Sequence, residues 1–245
     1  MTDTTPTESN LSGLDRKDFQ KNINSRKTDL YILKNAQGME VAVTNYGCAI
    51  LSIMVPDKNG KFANVILGHD SIEHVINSPE PFLSTTIGRY GNRIANGKFT
   101  LYGEEHQLTV NNGPNSLHGG PTGFHARVWD AVQPNESTVI FNYTSADGEE
   151  GFPGTLEIEM TYRLEDEANA LVIEYRATTD KATVVNLTNH GFFNLAGISN
   201  PSPTVLNNIL TINADFYVPI DEVSIPKSRK YPYGFPYSPC HRRAY

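Results

Sequence analysis

A histidine set among uncharged polar neighbours is the natural starting point for proton-transfer chemistry, because imidazole changes charge near neutral pH. One such group lies in residues 184–195, which open as Val184-Val185 and close as Phe192-Phe193-Asn194-Leu195. A β-branched start and an aromatic end read as one strand, or as two short strands with a kink at Gly191. Alternation along a strand puts Asn186, Thr188 and His190 on one face, which is either solvated or lines a wet pocket. On residue types alone, a buried histidine satisfied by its neighbours is the simpler reading of His190.

Two further stretches carry chemistry-bearing side chains. Residues 86–99 hold Gly88, Gly91 and Gly97 with Arg89 and Arg93, in a loop leading into a strand. The glycine spacing fits neither a dinucleotide-binding nor a Walker loop, and no helical pattern follows, so no phosphate cradle is expected. The segment is either a structural turn with surface arginines or a loop that holds an arginine against ligand oxygens through its planar fork. Residues 111–120 are turn-rich, and His118 there is followed by Gly119-Gly120. His118 is a surface loop histidine or a ligand contact. With His125 nearby, a metal site would need a further ligand; none stands at a zinc-enzyme spacing, so no metal is expected.

The elements that must position these residues read as strands. Residues 29–33 and 39–44 form a hairpin about a turn at 35–38, with 39–44 alternating, and 51–56 and 63–68 follow. Gly47 marks a bulge or close approach. Residues 71–77 suit a short helical turn. Residues 139–143, 154–164 and 170–178 are alternating strands joined by charged turns. The carboxylates of 147–150 suit solvated turn positions, and Trp129 suits the core. Short strands punctuated by Gly, Asn and Pro, with no long 3.6-residue period, predict an all-β antiparallel sandwich. Residues 1–24 read as a flexible leader, with a solvated charge run at 15–18, and 25–226 as the sandwich domain.

Composition narrows the function. The chain has 245 residues and a net charge of −7, which argues against a nucleic-acid partner. No apolar run is long enough to span a membrane. Cys48 and Cys240 make no disulfide framework, and the first ten residues lack the charged and apolar regions of a secretory signal. A cytoplasmic location is the expectation.

Residues Asn186, Thr188, Asn189, His190, Phe193, Asn194 and Leu195 together resemble the signature of the aldose 1-epimerase (galactose mutarotase) family. Phe192 stands where that family usually has tyrosine. The run from Gly88 through Arg89, Asn92, Arg93, Ile94 and Gly97 to Phe99 is similar to a second family element, and Asn115, Leu117, His118, Gly119 and Gly120 to a third. Gly123, Phe124 and Trp129 match a fourth, with His125 and Ala126 replacing its Asp-Lys, a change read as lying on the rim. Residues 147–154 and 210–219 also look like the family. The resemblance implies a mutarotase-like β-sandwich and acid/base interconversion of the α and β anomers of aldohexoses such as galactose and glucose. It implies His190 as general acid, His118 as its neighbour at the ring oxygen, and Asn92 and Arg93 as sugar-binding residues. It implies no metal and no other cofactor, and a small sugar as partner. Arg93, His118 and His190 are expected to converge on one concave surface.

From Lys227 to Tyr245 the chain resembles nothing expected of the family. The expectation is a disordered tail on a sandwich that lacks the family's C-terminal part, including its sugar-binding aspartate and glutamate base, through a shifted or shortened reading frame. The chain is then an impaired epimerase or, alternatively, a non-catalytic carbohydrate-binding protein on the same fold. A glycoside hydrolase would need paired carboxylates, and no such pair can be placed.

Overall fold

The computed structural model describes residues 10–200, 204–227 and 231–232. Two antiparallel four-stranded sheets dominate it. The first runs Leu30–Lys34, Glu40–Thr44, Ile50–Pro56 and Phe62–Asn64 in spatial and chain order. The second runs Asp130–Asn135, Thr138–Ser145, Leu156–Leu164 and Leu171–Thr179, again each strand beside the next. Both are therefore simple meanders, in which short turns join neighbouring strands. The sandwich expected from the sequence is the one observed.

The core lies between the sheets. Leu33, Val41, Val43 and Ile53 of the first sheet pack with Val139, Phe141, Ile158, Met160 and Tyr162 of the second. In Leu156–Leu164 every second side chain is buried, from Leu156 through Ile158, Met160 and Tyr162 to Leu164. That is the period of a strand with one face inward. Trp129 is fully buried and donates its indole N–H to the Phe124 carbonyl at 3.3 Å.

The strand Glu40–Thr44 departs from the alternation expected of it, since all five residues are buried. The reason is a second apolar layer on the far face of the first sheet, where Phe19, Leu30, Ala42, Leu51, Ile72 and Val75 cluster. Val41 and Val43 thus face one layer and Ala42 the other. Ile72 and Val75 come from the helix Ile72–Ile76, whose N-cap Ser71 accepts from the His74 N–H. Phe19 comes from the stretch read as a leader. From Asn10 onward that stretch packs against the sheet, because Phe19 is fully buried, which is worth roughly 1.5–3 kcal/mol. The backbone N–H groups of Leu11 and Ser12 donate to the Glu40 carboxylate, each at 2.9 Å, which satisfies a buried charge. Arg16, in the charge run read as solvated, pairs with Asp29 through two hydrogen bonds of 2.6 and 2.7 Å.

One flank of the sandwich is apolar and open. Met39, Ile53, Val55 and Val65 of the first sheet and its margin face Leu171, Ile173 and Tyr175 of the second across a groove of about 590 Å³. Phe193 and Leu195 on its rim are exposed, as are Leu206, Ile209 and Leu210 further along the chain. Of the stretch read as a tail, Tyr231–Pro232 pairs with Phe216–Tyr217 as a two-residue antiparallel ladder, which the sequence reading did not anticipate. Apart from Lys227, the remaining tail residues, and Cys240 with them, lie outside the described residues, as do the first nine. Among the described residues, no helix is long and apolar enough to cross a membrane.

Candidate active site

Three chain segments run side by side to build the site. Thr86–Ile87 pairs antiparallel with Thr188–Asn189. The ladder continues through the Ser84 N–H, which donates to the His190 carbonyl at 3.1 Å, and the His190 N–H, which donates to Thr85 at 2.9 Å. At the other end Tyr90 bridges to Asn186. Arg93–Ile94 then pairs with Ser116–Leu117, and the His118 N–H donates to the Asn92 carbonyl at 3.1 Å. Residues 84–94 are thus the middle rail, with His190 hung on one side and His118 on the other.

Side chains lock this rail to the core. Tyr162 is buried beneath it and donates its hydroxyl to the Cys48 carbonyl at 3.0 Å. The same oxygen receives the Asn189 amide at 3.1 Å and lies 3.2 Å from the Thr86 hydroxyl. Asn189 therefore points inward while its neighbours Thr188 and His190 border the open side, as alternation requires. Arg89, one of the two arginines read either as surface residues or as a grip on ligand oxygens, is fully buried. Its guanidinium donates to the carbonyls of Pro153 and Gly154 at 2.9 and 2.8 Å and to the Ser145 hydroxyl at 2.8 Å. It ties the rail to the loop after Thr138–Ser145. Gly119 permits the closest approach: a Cβ there would stand 1.9 Å from the Gly88 carbonyl oxygen.

Asn92, His118 and His190 line one concavity of about 530 Å³, with Gly91, Asn186 and Thr188 beside them. The His118 and His190 rings meet edge to face, their centroids 5.0 Å apart and their planes at 88°. His190 also stacks on Phe192 at 5.0 Å. Arg93 borders the concavity beside Asn92 rather than lining it. Its Nε donates to the Asn112 carboxamide oxygen at 2.9 Å, so the side chain is held on the neighbouring loop. Its charge still reaches the site, since Arg93 is among the groups that disfavour protonation of His118.

The electrostatics of His118 follow from its setting. Burial is the largest effect, and His190, Arg93 and His125 add to it, lowering its pKa from 6.5 to about 4. At pH 7 the ring is neutral. Its Nδ1 accepts the Asn92 N–H at 3.0 Å, so the proton sits on Nε2. His118 therefore presents a neutral N–H donor.

Two readings of neighbouring residues are corrected. His125, read as a rim position, is 4 % exposed, and burial lowers its pKa to about 4. Its ring packs against Phe82 at 4.7 Å. Of the carboxylates of 147–150, read as solvated, Asp147 is exposed as expected, whereas Glu149 is largely covered, and all three brace the loop. Glu149 accepts the Tyr143 hydroxyl at 2.8 Å and pairs with Arg127, Glu150 accepts the Thr122 N–H at 2.9 Å, and Asp147 accepts the Gly154 N–H and pairs with Lys181. Missed altogether were Asn112, which holds Arg93, and Phe82, which touches His118. Asn112 stood in a loop read for its turns, and nothing in the spacing of residues 78–84 marks Phe82.

Comparison with known proteins agrees with this architecture. A family model described as aldose 1-epimerase matches residues 29–235. The match reaches into the stretch beyond Lys227 that resembled nothing, and spans the pairing of Tyr231–Pro232 with Phe216–Tyr217. Bovine galactose mutarotase is 43% identical over 188 residues, covering 77% of this chain and 53% of the relative. Aldose 1-epimerase of Escherichia coli K12 is 44% identical over 197 residues, covering 80% of this chain and 56% of the relative. The chain thus spans about half the length of the curated relatives it matches. The crystal structure of a GalM/aldose epimerase homologue from C. elegans superposes with a TM-score of 0.77 at 33% identity, covering 84% of this chain and 61% of that one. With that fold, that identity and a family match over most of its length, this chain belongs to the aldose 1-epimerase family.

Proposed function

We propose that the concavity between Asn92, His118 and His190 takes the pyranose ring of an aldohexose such as galactose or glucose and serves aldose 1-epimerase chemistry. In that reaction the O1 proton is removed while the ring oxygen gains one, and the bond between C1 and the ring oxygen breaks. The open-chain aldehyde rotates about C1–C2 and recloses on the other face, returning both protons. Only positioned proton-transfer groups are needed.

The observation that carries this reading is the facing of His118 and His190 across 5.0 Å in one open concavity. His190 acts as the general acid toward the ring oxygen. His118 supports it from beside, because its neutral Nε2–H can donate to an oxygen that is gaining negative charge. Asn92 holds a hydroxyl from the rim, and Arg93 does so from the adjoining loop.

The reaction also needs a base for the O1 proton. Among the described residues, no carboxylate lines the concavity, and the family resemblance puts the glutamate base in the portion of the relatives that this chain does not span. That same observation favours a second reading, a non-catalytic carbohydrate-binding protein on this fold.

Polarimetry of freshly dissolved α-galactose separates the two. A modest acceleration over buffer that His190→Ala removes supports the epimerase. Sugar binding with no acceleration supports the binding protein. Turnover in the ordinary enzymatic range, about 1–10³ s⁻¹, would place a base within this chain.

A further inference from the structure

Phe82 sits at the centre of the histidines. Its ring centroid lies 4.7 Å from that of His118, with the planes at 65°, and 4.7 Å from that of His125 at 64°. It lies 6.3 Å from His190, tilted by 30°. His118 and His125 come from one loop and His190 from a distant segment, and Phe82 touches or borders each. Its backbone is fixed as well. The Phe82 carbonyl accepts both the N–H and the hydroxyl of Thr85, at 3.2 and 3.1 Å. Thr85 in turn accepts the His190 N–H at 2.9 Å. The segment that carries the phenyl ring is thus one hydrogen bond from the backbone of His190.

The position suits no direct role in chemistry. Phe82 has no polar side-chain atom and is not among the residues lining the concavity. What a half-buried ring can do there is mechanical and dielectric. Edge-to-face aromatic contacts favour one relative orientation, and the phenyl ring covers one side of His118. Two imidazoles with freedom to swing would otherwise hold their mutual distance poorly, and acid/base transfer depends on that geometry.

We propose that Phe82 is a positioning residue of the site, setting the planes and separation of His118 and His190. This rests on the reading of those two histidines as the proton-transfer pair. The side chains that act electrostatically on His118 are His190, Arg93 and His125. Changing Phe82 adds or removes no charge, so a change in His118 titration would report the ring's cover or the histidine spacing that it sets.

The test is imidazole ¹⁵N NMR on the full chain with Phe82→Ala, Phe82→Leu and Phe82→Tyr, using the emission of the single tryptophan, Trp129, to report an intact core. With Trp129 emission unchanged, Phe82→Ala should move the His118 titration up from about 4 toward the ordinary 6.5 and abolish ring-to-ring nuclear Overhauser contacts between His118 and His190. Phe82→Leu should give an intermediate shift, and Phe82→Tyr should restore the wild-type pattern. If Phe82→Ala disrupts the core, the same comparison between Leu and Tyr decides. Unchanged His118 titration and retained contacts in the most truncated variant that keeps its core would overturn the positioning role. Galactose binding by the wild-type chain is measured separately: its absence would count against the sugar reading, while the NMR result would still judge Phe82.

Discussion

His118 and Asn92 hold each other by two opposed hydrogen bonds. The His118 backbone N–H donates to the Asn92 carbonyl at 3.1 Å, and the Asn92 backbone N–H donates to His118 Nδ1 at 3.0 Å. The pair fixes the imidazole in one tautomer without any help from a carboxylate. Asn92 adopts a left-handed backbone, with φ of 68°, and that conformation aims its N–H at the ring. Near neutral pH the Nε2–H tautomer is the expected one, and the ¹⁵N shifts of His118 check it. An Nδ1–H signal would mean that the pair is broken in solution.

His118 and His125 make stability depend on pH. Both have folded-state pKa values lowered from 6.5 to about 4, chiefly by burial. The unfolded chain therefore binds more protons than the folded one below pH 6.5, and stability falls as pH drops from about 6.5 to about 4. For His125 the loss is on the order of 3 kcal/mol, and for the more exposed His118 it is smaller because solvent screens it. Urea midpoints measured across that window should decline. His125→Phe, which packs as an aromatic but cannot titrate, should flatten the decline, and an unchanged slope would remove His125 as its source.

Tyr162→Phe tests the link from the core to the site. It deletes the hydroxyl shared by the Cys48 carbonyl, the Asn189 amide and Thr86. Leaving buried partners unsatisfied costs about 1–3 kcal/mol. Thermal unfolding should show that loss, and the His190 imidazole signal should move with it, since Asn189 precedes His190 on the same rail. Destabilisation with an unmoved His190 signal would show that Asn189 does not hold the histidine in place.

The parts of the structure that were legible in the sequence are those whose signal is local. Leu156–Leu164 shows its period of two because only one of its faces is buried. The short helix within 71–77 follows from residues next to one another. Glu40–Thr44 was misjudged because both faces are covered, and the second cover includes Phe19, more than twenty residues away in a segment too polar to suggest packing. The same limit separates the site residues. His118, His190 and Asn92 sit in motifs, and the ladder joins those motifs. Arg89 and Arg93 lie in one motif with the same side-chain chemistry, yet one is buried among carbonyls and the other borders the site. Nothing in their spacing could divide those roles, because the division is made by Pro153, Gly154 and Asn112 on other loops.

The most direct measurement is a galactose titration followed through the imidazole signals of the full chain. Addition of sugar should shift His118 and His190 together and saturably, leaving buried His125 less affected. His118→Ala should weaken binding up to about tenfold, the worth of one hydrogen bond. Saturable binding that leaves both His118 and His190 unmoved, or that survives His118→Ala and His190→Ala together without loss, would contradict the assignment of the sugar site to this concavity.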